Sequence, residues 1–108
     1  MTAKADDNRA GKTIVRVDPE IAELIPGFLQ NRRKDIAAML DAVQRSDFET
    51  VRVLGHSMKG AGGGYGFDAI TEIGAALEEA AKQRNAAEVQ DRVNELSRYL
   101  DRVEVISD

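Results

Sequence analysis

The sequence contains no cysteine and a single histidine among its 108 residues. Without cysteine there is no disulfide framework, no thiolate-ligated zinc and no thiol nucleophile. No apolar run approaches the roughly 20 residues of a membrane span. The charged N-terminus lacks the apolar stretch of a secretory signal. Basic clusters are equally scarce: Arg32-Arg33-Lys34 is the one run, and the net charge is −4. Binding nucleic acid through its phosphates needs several cations on one face, so no nucleic-acid partner is expected. A glycine-rich nucleotide-binding element is also missing, and the chain has no room for an ATP-binding kinase domain. These absences leave a soluble, cytoplasmic protein as the expectation, with neither a membrane nor a nucleic acid as partner.

What is present is helical. Hydrophobic residues make up 43% of the chain, an ordinary globular share for one domain. Residues 1–12 are polar and aperiodic, which predicts a flexible leader, with the folded domain over 13–108. Asp18-Pro19-Glu20 is a helix start, and Pro26-Gly27 is expected to end that short helix near Ile25. A second helix follows to Gln44, with Leu29, Ile36, Met39, Leu40 and Val43 at helical spacing. Ser46-Asp47 offers the next N-cap, and a third helix carries Val51, Leu54, Met58 and Ala61 into the run Gly62-Gly63-Gly64. A fourth starts near Phe67-Asp68. Asn85 separates it from a fifth, whose Val89, Val93, Leu96, Leu100 and Val103 alternate four and three apart. Ile14-Val15-Arg16-Val17 is β-prone but short and without an evident partner. The pattern predicts an all-α fold, an antiparallel four-helix bundle with a short additional N-terminal helix. A coiled coil with another chain is the competing arrangement. The last seam spans only about two heptads, which favours the bundle.

His56 lies in GHSMKGAGGGYGF. On a helical wheel with His56 at 0°, Leu54, Met58, Val51 and Ala61 fall between about 140° and 220°. The apolar face is therefore opposite the histidine. Glu49, Arg52, Lys59, Gly60 and Gly63 lie within about 60° of it, on the solvent side. A glycine inside a helix costs about 1 kcal/mol relative to alanine. Gly60 and Gly63 are thus unfavourable local choices on a face where the bundle makes no packing demand. The close approach of another macromolecule would explain them. Gly62 and Gly64 read as part of a helix end.

At these residues the sequence resembles a histidine-containing phosphotransfer domain of two-component phosphorelays. The family pattern is a histidine, Lys-Gly three and four residues on, small residues, and a glycine about ten on that opens the next helix. His56, Lys59, Gly60, Gly63 and Gly66 fit it, as does the later pair Leu77-Glu78. The resemblance spans roughly Asp18 to Val103. It implies a four-helix bundle that carries a phosphoryl group on Nε2 of His56. Exchange would be with aspartates of response-regulator receiver domains, or with a hybrid sensor histidine kinase as partner. An exposed imidazole is substantially neutral at pH 7 and so nucleophilic. Lys59 would stabilise charge on the phosphoryl oxygens, and Arg52, Gly60 and Gly63 would serve docking, with Gly66 structural. Val53, Tyr65 and Phe67 are candidates for an apolar docking patch.

The resemblance further implies no cofactor of the chain's own, with Mg²⁺ held by the partner receiver. His56 lacks the following acidic residue and later proline of kinase phosphoacceptor helices, so self-phosphorylation from ATP is not expected. The chain reads as a monomeric phosphocarrier and not an enzyme. Two other readings stay open. One is a helical adaptor that binds signalling domains without chemistry. The other is a metal site, for which His56 and Glu49 supply too few ligands.

Overall fold

Capping residues set where each helix begins. In the computed structural model, which describes residues 7–9 and 12–107, Asp18 accepts the Glu20 N–H at 2.8 Å and starts a 3-10 helix over Pro19–Leu24. Helix α1, Ile25–Gln44, follows without a break. Pro26 marks the expected boundary, where the short helix ends at Leu24 and α1 takes over. It sits in the first turn of α1, where its missing N–H has no helical partner to lose. Asp47 caps α2, Phe48–Tyr65, accepting the Thr50 N–H at 3.1 Å and its hydroxyl at 2.6 Å. Asn85 caps α4, Ala86–Arg102, through the Glu88 N–H at 3.0 Å. Between them runs α3, Asp68–Lys82.

The four α-helices form the antiparallel bundle that the hydrophobic periodicity predicts. Each packs on the next, and α1 closes the ring against α4. Met39, Val51, Met58, Phe67, Ile70, Leu77, Val89, Val93 and Leu96 are buried at its centre. Full burial of one such side chain contributes about 1.5–3 kcal/mol. Phe28 of α1 closes one end, its ring centroid 4.6 Å from that of Tyr65 and 5.2 Å from that of Phe67.

Three expectations about the chain ends are corrected. Strand β2, Lys12–Val17, has partners on both sides. It pairs antiparallel with β1, Asp7–Arg9, and parallel with β3, Val103–Ser107, in the register Thr13↔Val103 to Val17↔Ser107. Val103 caps α4 in extended conformation and begins β3, so the helical seam stops at Leu100. Residues 7–9 and 12, expected in the leader, are strand; the rest of that segment, residues 1–6, 10 and 11, lies outside the described residues. The alternation along β2 turns Thr13, Val15 and Val17 inward and buries them, so the N-terminal strand completes the core.

Candidate functional site

Helix α2 runs through its glycines to Tyr65 and ends at Gly66, whose φ of 85° is left-handed. There the Phe67 N–H returns to the Gly62 carbonyl at 2.8 Å, closing the helix. Gly66 thus has a backbone reason to be glycine. Gly62 is not merely part of a helix end: it is buried, and a Cβ there would lie 2.7 Å from the Thr71 backbone nitrogen of α3.

The wheel prediction of α2 holds. Val51 and Met58 are buried, and the His56 side chain is 66% exposed on the opposite side. A Cβ on Gly60 or Gly64 would meet no atom within 4 Å, and one on Gly63 only the Thr71 hydroxyl at 3.7 Å. The surface beside the histidine is therefore open, with no intramolecular packing demand at Gly60. Of the three apolar docking candidates, Val53 is 49% exposed, Tyr65 is half-buried, and Phe67 belongs to the core.

Beneath the imidazole the structure places a residue to which the sequence reading gave no role. Glu78 of α3 has one oxygen, Oε2, 3.1 Å from His56 Nδ1, and the other, Oε1, 3.0 Å from Lys59 Nζ. Its side chain is only 11% exposed. The Lys59 ammonium, hydrogen-bonded to it, holds the carboxyl below the usual glutamate range; partial burial opposes this and the His56 contact adds to it. An ionised carboxylate can only accept, so Nδ1 is the donor of this pair. In the neutral ring the other nitrogen, Nε2, then carries the lone pair. Lys59 shares the histidine's side of α2, half-buried and ion-paired with Glu78.

Two further glycines make this contact geometry. A Cβ at Gly55 would lie 2.8 Å from the Glu78 backbone nitrogen and 2.9 Å from the Gly74 carbonyl oxygen. One at Gly74 would lie 2.6 Å from the Lys59 nitrogen and 2.8 Å from the Gly55 carbonyl oxygen. Helices α2 and α3 touch backbone to backbone here, and the Thr71 hydroxyl donates to the Lys59 carbonyl at 3.1 Å. Thr71, Gly74 and Glu78 recur at three and four residues along α3, one face of that helix. A glycine and an acid sharing that stripe inside an apolar helix was the available signal.

Arg52 is one turn before His56, but its guanidinium is bound to Glu49, Nη2 to Oε2 at 2.6 Å and Nε to Oε1 at 3.0 Å. That pairing lowers the Glu49 pKa and raises that of Arg52. Both ions of the pair are therefore engaged with each other beside the histidine. Among the described residues, no group of three or more His, Cys, Asp or Glu side chains is arranged to hold a metal ion. No helix among them is long and apolar enough to cross a membrane.

The family model of the Hpt domain matches residues 23–105, which takes in the end of the 3-10 helix, all four α-helices and the start of β3. Strands β1 and β2 fall outside it. Hpt domains are phosphocarrier modules of two-component signalling. No curated protein and no solved structure matches the chain.

Proposed function

The chain belongs to the Hpt domain family, and we propose that it carries a phosphoryl group on His56 and exchanges it with aspartates of response-regulator receiver domains. The observation that carries this reading is the disposition of the imidazole. Nδ1 is engaged by Glu78 below, while the ring is exposed above. The nitrogen with the lone pair thus belongs to the accessible side of the ring.

In the step itself, the Nε2 lone pair attacks the phosphorus of an aspartyl phosphate. The phosphorus–oxygen bond to the aspartate breaks, and the carboxylate leaves with that electron pair. The proton on Nδ1 stays where it is. Such transfer depends chiefly on in-line positioning and on charge stabilisation at the phosphoryl oxygens. Lys59, one helical turn from His56, is the cation for those oxygens. Gly60 and Gly63 leave room for the receiver's loops, and Val53 offers an apolar contact beside them. The acidic pocket and its Mg²⁺ belong to the receiver. Reversal of the same step returns the group to another receiver.

The test is to mix the chain with phosphorylated receivers and Mg²⁺ and follow the label. Acid-labile phosphate should appear on the parent chain and be absent from His56→Gln. Uptake by His56→Gln would refute the assignment. Binding of every receiver without movement of label would make the chain a docking adaptor.

A further inference from the structure

The Glu78 carboxylate has a partner on each oxygen, and one of those partners is also the cation assigned to the phosphoryl group. We propose that Glu78 is a positioning residue that holds the Lys59 ammonium in reserve and yields it to the phosphoryl group when His56 becomes phosphorylated. This rests on His56 being the phosphoacceptor.

A phosphoryl group on Nε2 brings up to two negative charges and three acceptor oxygens to the face that Lys59 shares. The ammonium then has two anions to choose between. Lys59 sits on a flexible four-carbon stem and its side chain is 40% exposed, so it can swing outward. Glu78 is held between α2 and α3 at 11% exposure and does not follow. Among the described residues, Glu78 is the one acceptor bonded to the Lys59 ammonium, so a single contact is exchanged. Arg52 does not compete, because Glu49 holds it with two hydrogen bonds.

The exchange leaves no anion bare. Before it, Glu78 faces the Lys59 ammonium and a neutral ring. Forming the Nε2–P bond consumes the ring's lone pair while Nδ1 keeps its proton, so the ring becomes a cation. Glu78 thus loses an ammonium and gains an imidazolium at the 3.1 Å contact it already makes. Lys59 meanwhile pairs with the phosphoryl oxygens. Because Nδ1 stays protonated, the group that departs on onward transfer is a neutral imidazole and not an imidazolate. Glu78 therefore keeps the stored phosphoryl group transferable as well as ordering the empty site.

Isotope-labelled chain treated with potassium phosphoramidate tests this without any receiver. In that reaction the reagent's N–P bond breaks, ammonia leaves, and Nε2 forms the new bond. The Lys59 ammonium nitrogen signal should move on phosphorylation and acquire scalar coupling to phosphorus, while the Glu78 carboxyl carbon signal shifts with it. In Glu78→Gln the Lys59 signal should sit at its unpaired position before any reagent is added. Lys59 and Glu78 signals that stay put in the phosphorylated parent chain would overturn the proposal, and this needs no variant to fold. A Lys59 signal at the parental position in Glu78→Gln would overturn it too, and a His56 that takes no phosphate from the reagent would overturn both readings. Exchange in a chain that no receiver can load or unload would leave this proposal standing and remove the receiver reading. Transfer from a receiver with Lys59 still on Glu78 would do the reverse.

Discussion

Replacing Gly74 by alanine puts a methyl group where two helix backbones already meet. The new carbon would lie 2.6 Å from the Lys59 nitrogen, 2.8 Å from the Gly55 carbonyl oxygen and 3.0 Å from Lys59 Cα. Ordinary contact begins near 3.4 Å, so the worst of these falls short by about 0.8 Å. All three atoms are backbone, and no side-chain rotation relieves them. Helix α2 must move away from α3 as a body, and overpacking of this kind costs about 1–3 kcal/mol. The upper end applies because nothing near the methyl is flexible. Alanine's better helix propensity offsets about 1 kcal/mol, leaving a net loss of about 2 kcal/mol. For a domain of this size that lowers Tm by on the order of 10 °C. The displacement is centred on Lys59, so the 3.1 Å contact between His56 and Glu78 should lengthen and transfer should slow. Urea and thermal unfolding followed by circular dichroism measure the first effect, and phosphate transfer from a receiver the second. The same change at Gly60 meets no atom within 4 Å. It should raise stability by up to about 1 kcal/mol while obstructing the docked receiver. The reasoning fails if Gly74→Ala is as stable as the parent, or if Gly60→Ala is destabilised.

Lys59→Ala should keep the parent's helical circular dichroism spectrum yet slow receiver transfer; an unchanged transfer rate would remove Lys59 from the mechanism. Val15→Ala, which empties a fully buried position on β2, should cost about 2 kcal/mol. A loss near zero in urea titration would mean that the N-terminal strand does not complete the core in solution. Acid should destabilise the fold. Asp47, Glu49 and Glu78 all have pKa values below their ordinary 3.8, 4.5 and 4.5. Their stabilisation is complete above those values and is lost as pH falls through the lower folded ones. Asp35, raised chiefly by burial, acts in the opposite direction. The urea midpoint should therefore drop as pH is lowered below about 4; a midpoint that rises on acidification would contradict these shifts.

Much of the bundle was legible because helices are local. Asp18, Asp47 and Asn85 are short polar side chains that satisfy N–H groups two or three residues away, so each cap is written beside the helix that it starts. The sheet was not legible in the same way. Val103–Ser107 follows directly on a helical seam, and its partner strand is near the other end of the chain. Parallel pairing over that separation leaves no turn signal between the strands. Pro26 was legible for the same local reason as the caps: a proline that would stop a helix already under way fits the first turn of one that is starting, and the short helix gives way to α1 there.

At the site the division is equally physical. The sequence by itself determined which residues share the face of His56, because the helix repeat alone places Arg52, Lys59, Gly60 and Gly63 beside it and Val51 and Met58 behind it. It also determined that Gly60 has no packing reason to be glycine. Only the tertiary structure decided what lies against the far nitrogen of the ring. Glu78 is 22 residues on and belongs to another helix. It reaches His56 and Lys59 together because Gly55 and Gly74, which carry no Cβ, let α2 and α3 approach to backbone contact. That approach, and not any spacing along α2, selects the ring nitrogen that is left to react.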